Sequence, residues 1–225
     1  MSYSKKDIIT SLSLSLFIIS FAIVVAVFMP IIYHLDIHYL KIDQTTHLTK
    51  QQLQLNYQQL IHYQSIFYQG PLRMNDFIIS HHSVIHFQEV KKIFEIIQII
   101  CLGSGITSLI LVIYQCYHHE YRFFKLTAMI SIILPVSIGV LASIDFDDLF
   151  ILFHKMAFKN QYWIFDPKID PVINMLPEAF FYHEFILIVI IIFVLAGVCY
   201  GLFSYKRKQI LCYNTKKDVG AWPSM

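Results

Sequence analysis

Of 225 residues, 56% are hydrophobic and only 14% charged, with 19 Phe and 14 Tyr among them. That balance excludes an ordinary soluble domain and makes lipid the expected solvent. A formal net charge of +2 is too small to argue for a nucleic-acid partner.

In chain order, four stretches are long and apolar enough to cross a 30 Å hydrocarbon core, which takes about 20 helical residues. They cover 8–33, 93–114, 123–144 and 185–205. The expected fold is an all-α integral membrane protein, a single membrane domain over 1–225 with four transmembrane helices and helical segments between spans 1–2 and 3–4. Lys5-Lys6 precede the first span as in a secretory leader, but the apolar run is too long for one and no small-x-small cleavage site follows. It reads as an uncleaved anchor.

Lys and Arg near the spans set the orientation. Lys5, Lys6, Arg122, Lys125, Lys206, Arg207, Lys208, Lys216 and Lys217 fall on one side, in short segments with few acids. Both termini are therefore expected in the cytoplasm, and 34–92 and 145–184 outside. Nine of the eleven histidines lie in or beside those two outward segments.

The first outward segment carries Leu53, Tyr57, Leu60, Ile61, Gln64, Phe67 and Tyr68 at helical spacing, with a Thr49/Gln52 capping box at its start and Gly70-Pro71 as its stop. A second helix, capped by Ser80 or Ser83, runs on into span two. His82 and His86 share a face of it, and Glu89 lies within reach of His86.

The second outward segment begins with a short apolar helix capped by Asp147 or Asp148, carrying Phe150, Phe153, His154 and Phe158 and stopping at Asn160. Trp163 follows, then the turn formers Asp166-Pro167 and Asp170-Pro171. Pro177 opens the last helix, with Glu178 at its positive end. So many aromatic side chains place this piece at the membrane interface. His81 and His82 are expected to face solvent, and His183 to lie at the interface beside Glu184.

The cysteines Cys101, Cys116, Cys199 and Cys212 form no Cys-x-x-Cys pair and fall in or near apolar runs, as small hydrophobes do. No Gly-x-Ser-x-Gly occurs, and His183-Glu184 begins a His-Glu-x-x-His that Leu187 breaks off.

With these pieces in place, the chain resembles the lipoprotein intramolecular transacylases, four-span membrane proteins of Gram-positive bacteria. The resemblance rests on His86-Phe87-Gln88-Glu89-Val90-Lys91 before span two and on Phe153-His154 followed by Trp163-Ile164-Phe165-Asp166-Pro167. A third block, Leu176-Pro177-Glu178-Ala179-Phe180-Phe181, precedes span four. It implies a membrane acyltransferase in the bacterial plasma membrane. The substrate would be a diacylated lipoprotein whose N-terminal cysteine carries an S-diacylglyceryl group. One acyl chain would pass to the cysteine's own α-amino group, giving a lyso-lipoprotein. His86 and His154 would be the essential residues, with no cofactor and no metal.

The chemistry suits those residue types. An α-amine with a pKa of about 7.7–8.0 must lose a proton before it attacks, and a neutral imidazole is matched to take it. His154 is assigned that role; His86 is assigned to the oxyanion, the leaving hydroxyl, or both. Glu89, Asp145, Asp166 and Glu178 are the carboxylates available to orient His154, and Phe153 and Trp163 are candidate contacts for the substrate or membrane lipids. Two rival readings stand beside this one. One is a metal-dependent hydrolase with His82, His86 and His154 as ligands; the other is a non-catalytic membrane subunit. The oligomeric state is left open by the sequence.

Overall fold

A computed structural model describes residues 3–219, with backbone only for 211–219. The side chains of Cys212, Lys216 and Lys217, invoked above, lie outside the described residues. Eight α-helices account for most of the described chain: α1 Lys5–Phe28, α2 Ile31–Tyr39, α3 Ile42–Thr46, α4 Lys50–Tyr63, α5 His81–Tyr117, α6 Arg122–Ile144, α7 Phe146–Ala157 and α8 Glu178–Val219, with one 3-10 turn at Pro171–Asn174.

Four of these, α1, α5, α6 and α8, are long and apolar enough to cross a membrane. At 1.5 Å per residue, the 37 residues of α5 extend about 55 Å and so outreach the hydrocarbon core. The surplus turns of α5 and α8, together with α7, frame the site. Small and polar residues face inward beside large apolar ones such as Phe123 and Ile192, while side chains such as Leu109, Ile113 and Val194 point out. Ser11 Oγ donates to the Phe123 carbonyl at 3.0 Å, Ser15 Oγ to that of Thr127 at 3.3 Å, and the Gln115 amide pairs with the Thr10 hydroxyl. Where helix meets helix, these bonds supply partners that lipid cannot.

The first span is shorter than its apolar run. Hydropathy alone carries it to residue 33, but α1 stops at Phe28, because Pro30 has no N–H to continue the ladder. Beyond the break, α2 turns into a separate head that packs on the end of the bundle opposite residue 5. Tyr33 stacks on Tyr57 at 3.9 Å, and the Phe180 ring stands edge-on to both. The apolar stripe of α4 is buried in this head and not laid on lipid: Leu53, Tyr57 and Leu60 are core residues.

Two local boundaries also differ from expectation. The Thr49/Gln52 capping box forms, but α4 ends at Tyr63, well before Gly70-Pro71, and Phe67 is exposed. The ammonium of Lys91 takes over as the stop, donating to the carbonyls of Tyr63, Ser65 and Tyr68. Cation placement against the last carbonyls of a helix is favourable on both hydrogen-bonding and dipole grounds. Of the two serines expected to cap α5, Ser80 does so. Asp145, not Asp147 or Asp148, caps α7, accepting from the Asp148 N–H, so the two later acids lie in the first turn instead.

Candidate active site

Two imidazoles meet where the head joins the bundle. His86 is in the second turn of α5 and His154 in the third turn of α7; they are 7% and 8% exposed. Their ring centroids are 6.0 Å apart. Both line one cavity of about 400 Å³ whose walls are otherwise almost wholly apolar, with Phe150, Phe153, Phe158 and Phe181 among them.

The ring of His154 has a defined tautomer. Its Nδ1 lies 2.7 Å from the carbonyl oxygen of Phe150, one turn back along α7. A carbonyl only accepts, so Nδ1 carries the hydrogen and Nε2 is left with its lone pair. Burial lowers the pKa of this imidazole from its ordinary value, partly opposed by the Phe150 bond. It is thus neutral at neutral pH. On α7, His154 is the one buried side chain, whereas Leu152, Phe153 and Met156 are exposed. The apolar outer face suits lipid, and the polar residue points in.

The partner of His154 is therefore main chain, and none of the four carboxylates put forward from the sequence orients it. A carbonyl four residues back is always at hand in a helix, and the acids are engaged elsewhere. Glu89 takes the side-chain amide of Asn160 at 2.9 and 3.1 Å. Asp145 caps α7. Asp166 is exposed in a turn, accepting from the Lys168 N–H at 2.9 Å. Glu178 opens α8 and neighbours Asp147 and Asp145.

Aromatic rings frame the pair. Trp163 lies 4.8 Å from the His154 ring and Phe153 stands edge-on to it at 5.4 Å. Phe158 and Phe165 present their edges to His86 at 4.7 and 5.4 Å. Nδ1 of His86 is buried and has no hydrogen-bond partner among the described residues. Packing alone holds this ring. Asn160, expected as the stop of α7, lies beyond its end at Ala157 and works differently: pinned by Glu89, it accepts from the Tyr162 N–H at 2.9 Å and so fixes the loop that delivers Trp163.

His82 does not join the other two. It is exposed, as is His81, and stacks on Tyr162 at 4.3 Å, so the three-histidine ligand set does not assemble. Among the described residues no group of three His, Cys, Asp or Glu is arranged to hold a metal ion. His183 binds Asp36 of α2 at 2.8 Å, tying α8 to the head.

Two residues of the cavity escaped the sequence reading. Gln64, read only as part of an apolar stripe, lines it; so does Glu184, which is 7% exposed with both carboxylate oxygens unpartnered. A signal for Glu184 did exist, since an acid at the mouth of the run Phe185-Ile186-Leu187-Ile188 is where a functional residue is expected in a membrane protein.

Four crossing helices and a buried histidine pair opening on an apolar cavity define an integral membrane enzyme for a lipid-bearing substrate. The family model for the lipoprotein intramolecular transacylase Lit matches residues 8–181, and the chain belongs to that family. It is accordingly an acyltransferase. Among solved structures, the membrane-integral lipoprotein intramolecular transacylase Lit from Bacillus cereus superposes with a TM-score of 0.89 at 33% identity, covering 92% of this chain and 96% of that one. Two forms of that protein with a single histidine replaced superpose at 0.84 and 32% identity, each over 92% of this chain and 93% or 94% of theirs. No curated protein matches.

Proposed function

We propose that the cavity holds the S-diacylglyceryl cysteine at the N-terminus of a lipoprotein and moves one acyl chain to that cysteine's α-amine. His154 Nε2 takes a proton from the amine, whose nitrogen then attacks the ester carbonyl. The N–C bond forms, the ester C–O bond breaks, and the glyceryl oxygen leaves as a hydroxyl with the proton. His86 serves the oxyanion, the leaving oxygen, or both. No atom is gained or lost, so the product is an isomer of the substrate: N-acyl, S-monoacylglyceryl.

The observation that carries this reading is the meeting of the two buried rings, 6.0 Å between centroids, on one apolar cavity. The defined tautomer of His154 suits a general base. No nucleophile on the protein is needed, because amine and ester belong to one molecule, and holding them in register can remove roughly 7–11 kcal/mol of barrier. Apolar walls suit acyl chains and exclude water, which would otherwise hydrolyse the ester. Phe153 lines the cavity that takes a chain, Trp163 packs on the His154 ring, and Glu89 and Asp145 shape the segment that bears His154 and Trp163. Asp166 and Glu178 support the turns on either side.

The protein is integral to a membrane, with four apolar helices. For its orientation, the excess of Lys and Arg at the end holding Lys5, Arg122 and Lys206 supports cytoplasmic termini in the plasma membrane. The histidine pair then lies at the outer face, where lipoproteins are anchored.

Purified protein mixed with a diacyl lipoprotein in detergent is expected to block the N-terminal amine without changing the mass. An amine that stays free would overturn the reading.

A further inference from the structure

We infer that Glu184 is the binding site for the substrate's α-amino group, a role that rests on the reaction proposed above. Three observations lead there. Glu184 lies on the cavity that His86 and His154 share. Its side chain is more than nine-tenths buried, and neither carboxylate oxygen has a hydrogen-bond partner. The cationic side that would normally answer such an acid is absent from the cavity wall: the polar residues lining it are Tyr57, Gln64, His86, His154 and Glu184.

Nearby groups do not supply the missing partner. Asp36 is close, but it is another acid and is bound to His183 at 2.8 Å. Tyr57 also stands nearby, its ring stacked on that of Tyr33 in the head. A buried carboxyl with no partner is costly, so the resting group is held as the neutral acid or awaits a cation. The substrate brings one to this cavity: a primary amine on a lipid anchor. An ammonium meeting the carboxylate and a free amine meeting the carboxylic acid give the same pair with the same number of protons. The pair orients the nitrogen and leaves its other N–H bonds for His154 Nε2.

The assignment carries a consequence for turnover. Acylation converts the amine into an amide, which is no longer basic and forms no ion pair. Glu184 thus recognises the substrate and releases the product. Lipoproteins already N-acylated would be discriminated against at the binding step and not only by lacking a nucleophile.

The test uses a ligand that binds without reacting. A short peptide whose N-terminal cysteine carries an S-dialkylglyceryl group, with ethers in place of both esters, keeps the amine and cannot transfer a chain. Its comparator lacks only the amino group. Affinities are measured for the full-length protein in nanodiscs. The wild type is expected to prefer the amine by about tenfold or more, the scale of a charge-assisted hydrogen bond. Glu184→Gln should bind both peptides alike, with affinity for the comparator unchanged. Glu184→Asp, which retains the acid, should keep a weaker preference. Equal preference in wild type and E184Q, or none in the wild type, would overturn the assignment. Turnover of the diester peptide by the wild type is scored separately. If that peptide is not N-acylated, the reaction itself fails; if it is, a result against Glu184 counts against this inference alone.

Discussion

Asn160 gives its side-chain amide to both carboxylate oxygens of Glu89, at 2.9 and 3.1 Å, and so ties the loop after α7 to the first turns of α5. His86 sits on α5, and His154 sits on α7, directly before that loop. Their spacing is therefore set partly by a contact that touches neither ring. Replacing Glu89 by Ala removes a charge-assisted pair worth about 1.5–3 kcal/mol. It should lower kcat/KM several-fold with the fold retained, whereas Glu89→Asp, one methylene shorter, should fall between. Steady-state kinetics beside a thermal melt in detergent checks both.

His154→Ala should reduce kcat by at least about a hundredfold, the usual scale of a general base. The fold should survive, because α7 is anchored by Asp145 at its start and by Phe150 against Phe181. Loss of activity with an unchanged melting temperature is the expected result. An active H154A protein would remove His154 from the chemistry.

Burial holds His154 below its ordinary pKa of 6.5, so the ring stays unprotonated further into acid than a surface histidine. The sign is fixed: activity that needs the neutral base persists as pH falls past 6.5 and is lost only when the ring finally takes a proton. A pH profile of kcat should place its acid limb below 6.5. An acid limb above that value would contradict the arrangement.

Asp170, read from the sequence as a turn former, is 4% exposed and accepts from both the N–H and the hydroxyl of Ser80, each at 2.8 Å. Ser80 is the cap of α5, and His86 lies less than two turns on. Asp170→Ala strands a half-buried N–H and should cost about 1–3 kcal/mol. Thermal unfolding reports the loss. Activity should fall with it, since the start of α5 loses its anchor.

What could be read in advance divides along physical lines. The number of spanning helices was legible because length and apolarity are additive along the chain. The α1 boundary was missed because Pro30 acts on the backbone, not on hydropathy. Pairing His86 with His154 came from the family resemblance, not from periodicity, and the structure brings them together. The partner of His154 was illegible in principle: a main-chain carbonyl exists at every position, so no residue type marks it. Glu184 was passed over because beside His183 it looked like half of an interface pair. Asp36, far away in the chain, claims that histidine instead.

Only one side chain of α7 is buried, and it is His154. Most of this helix therefore adds little to what keeps the protein folded, and selection for thermal robustness would barely register changes along its outer face. Variants there should be tolerated by folding quality control yet differ in which lipids they lean against, so this helix can drift towards new membrane compositions while its single inward residue stays fixed.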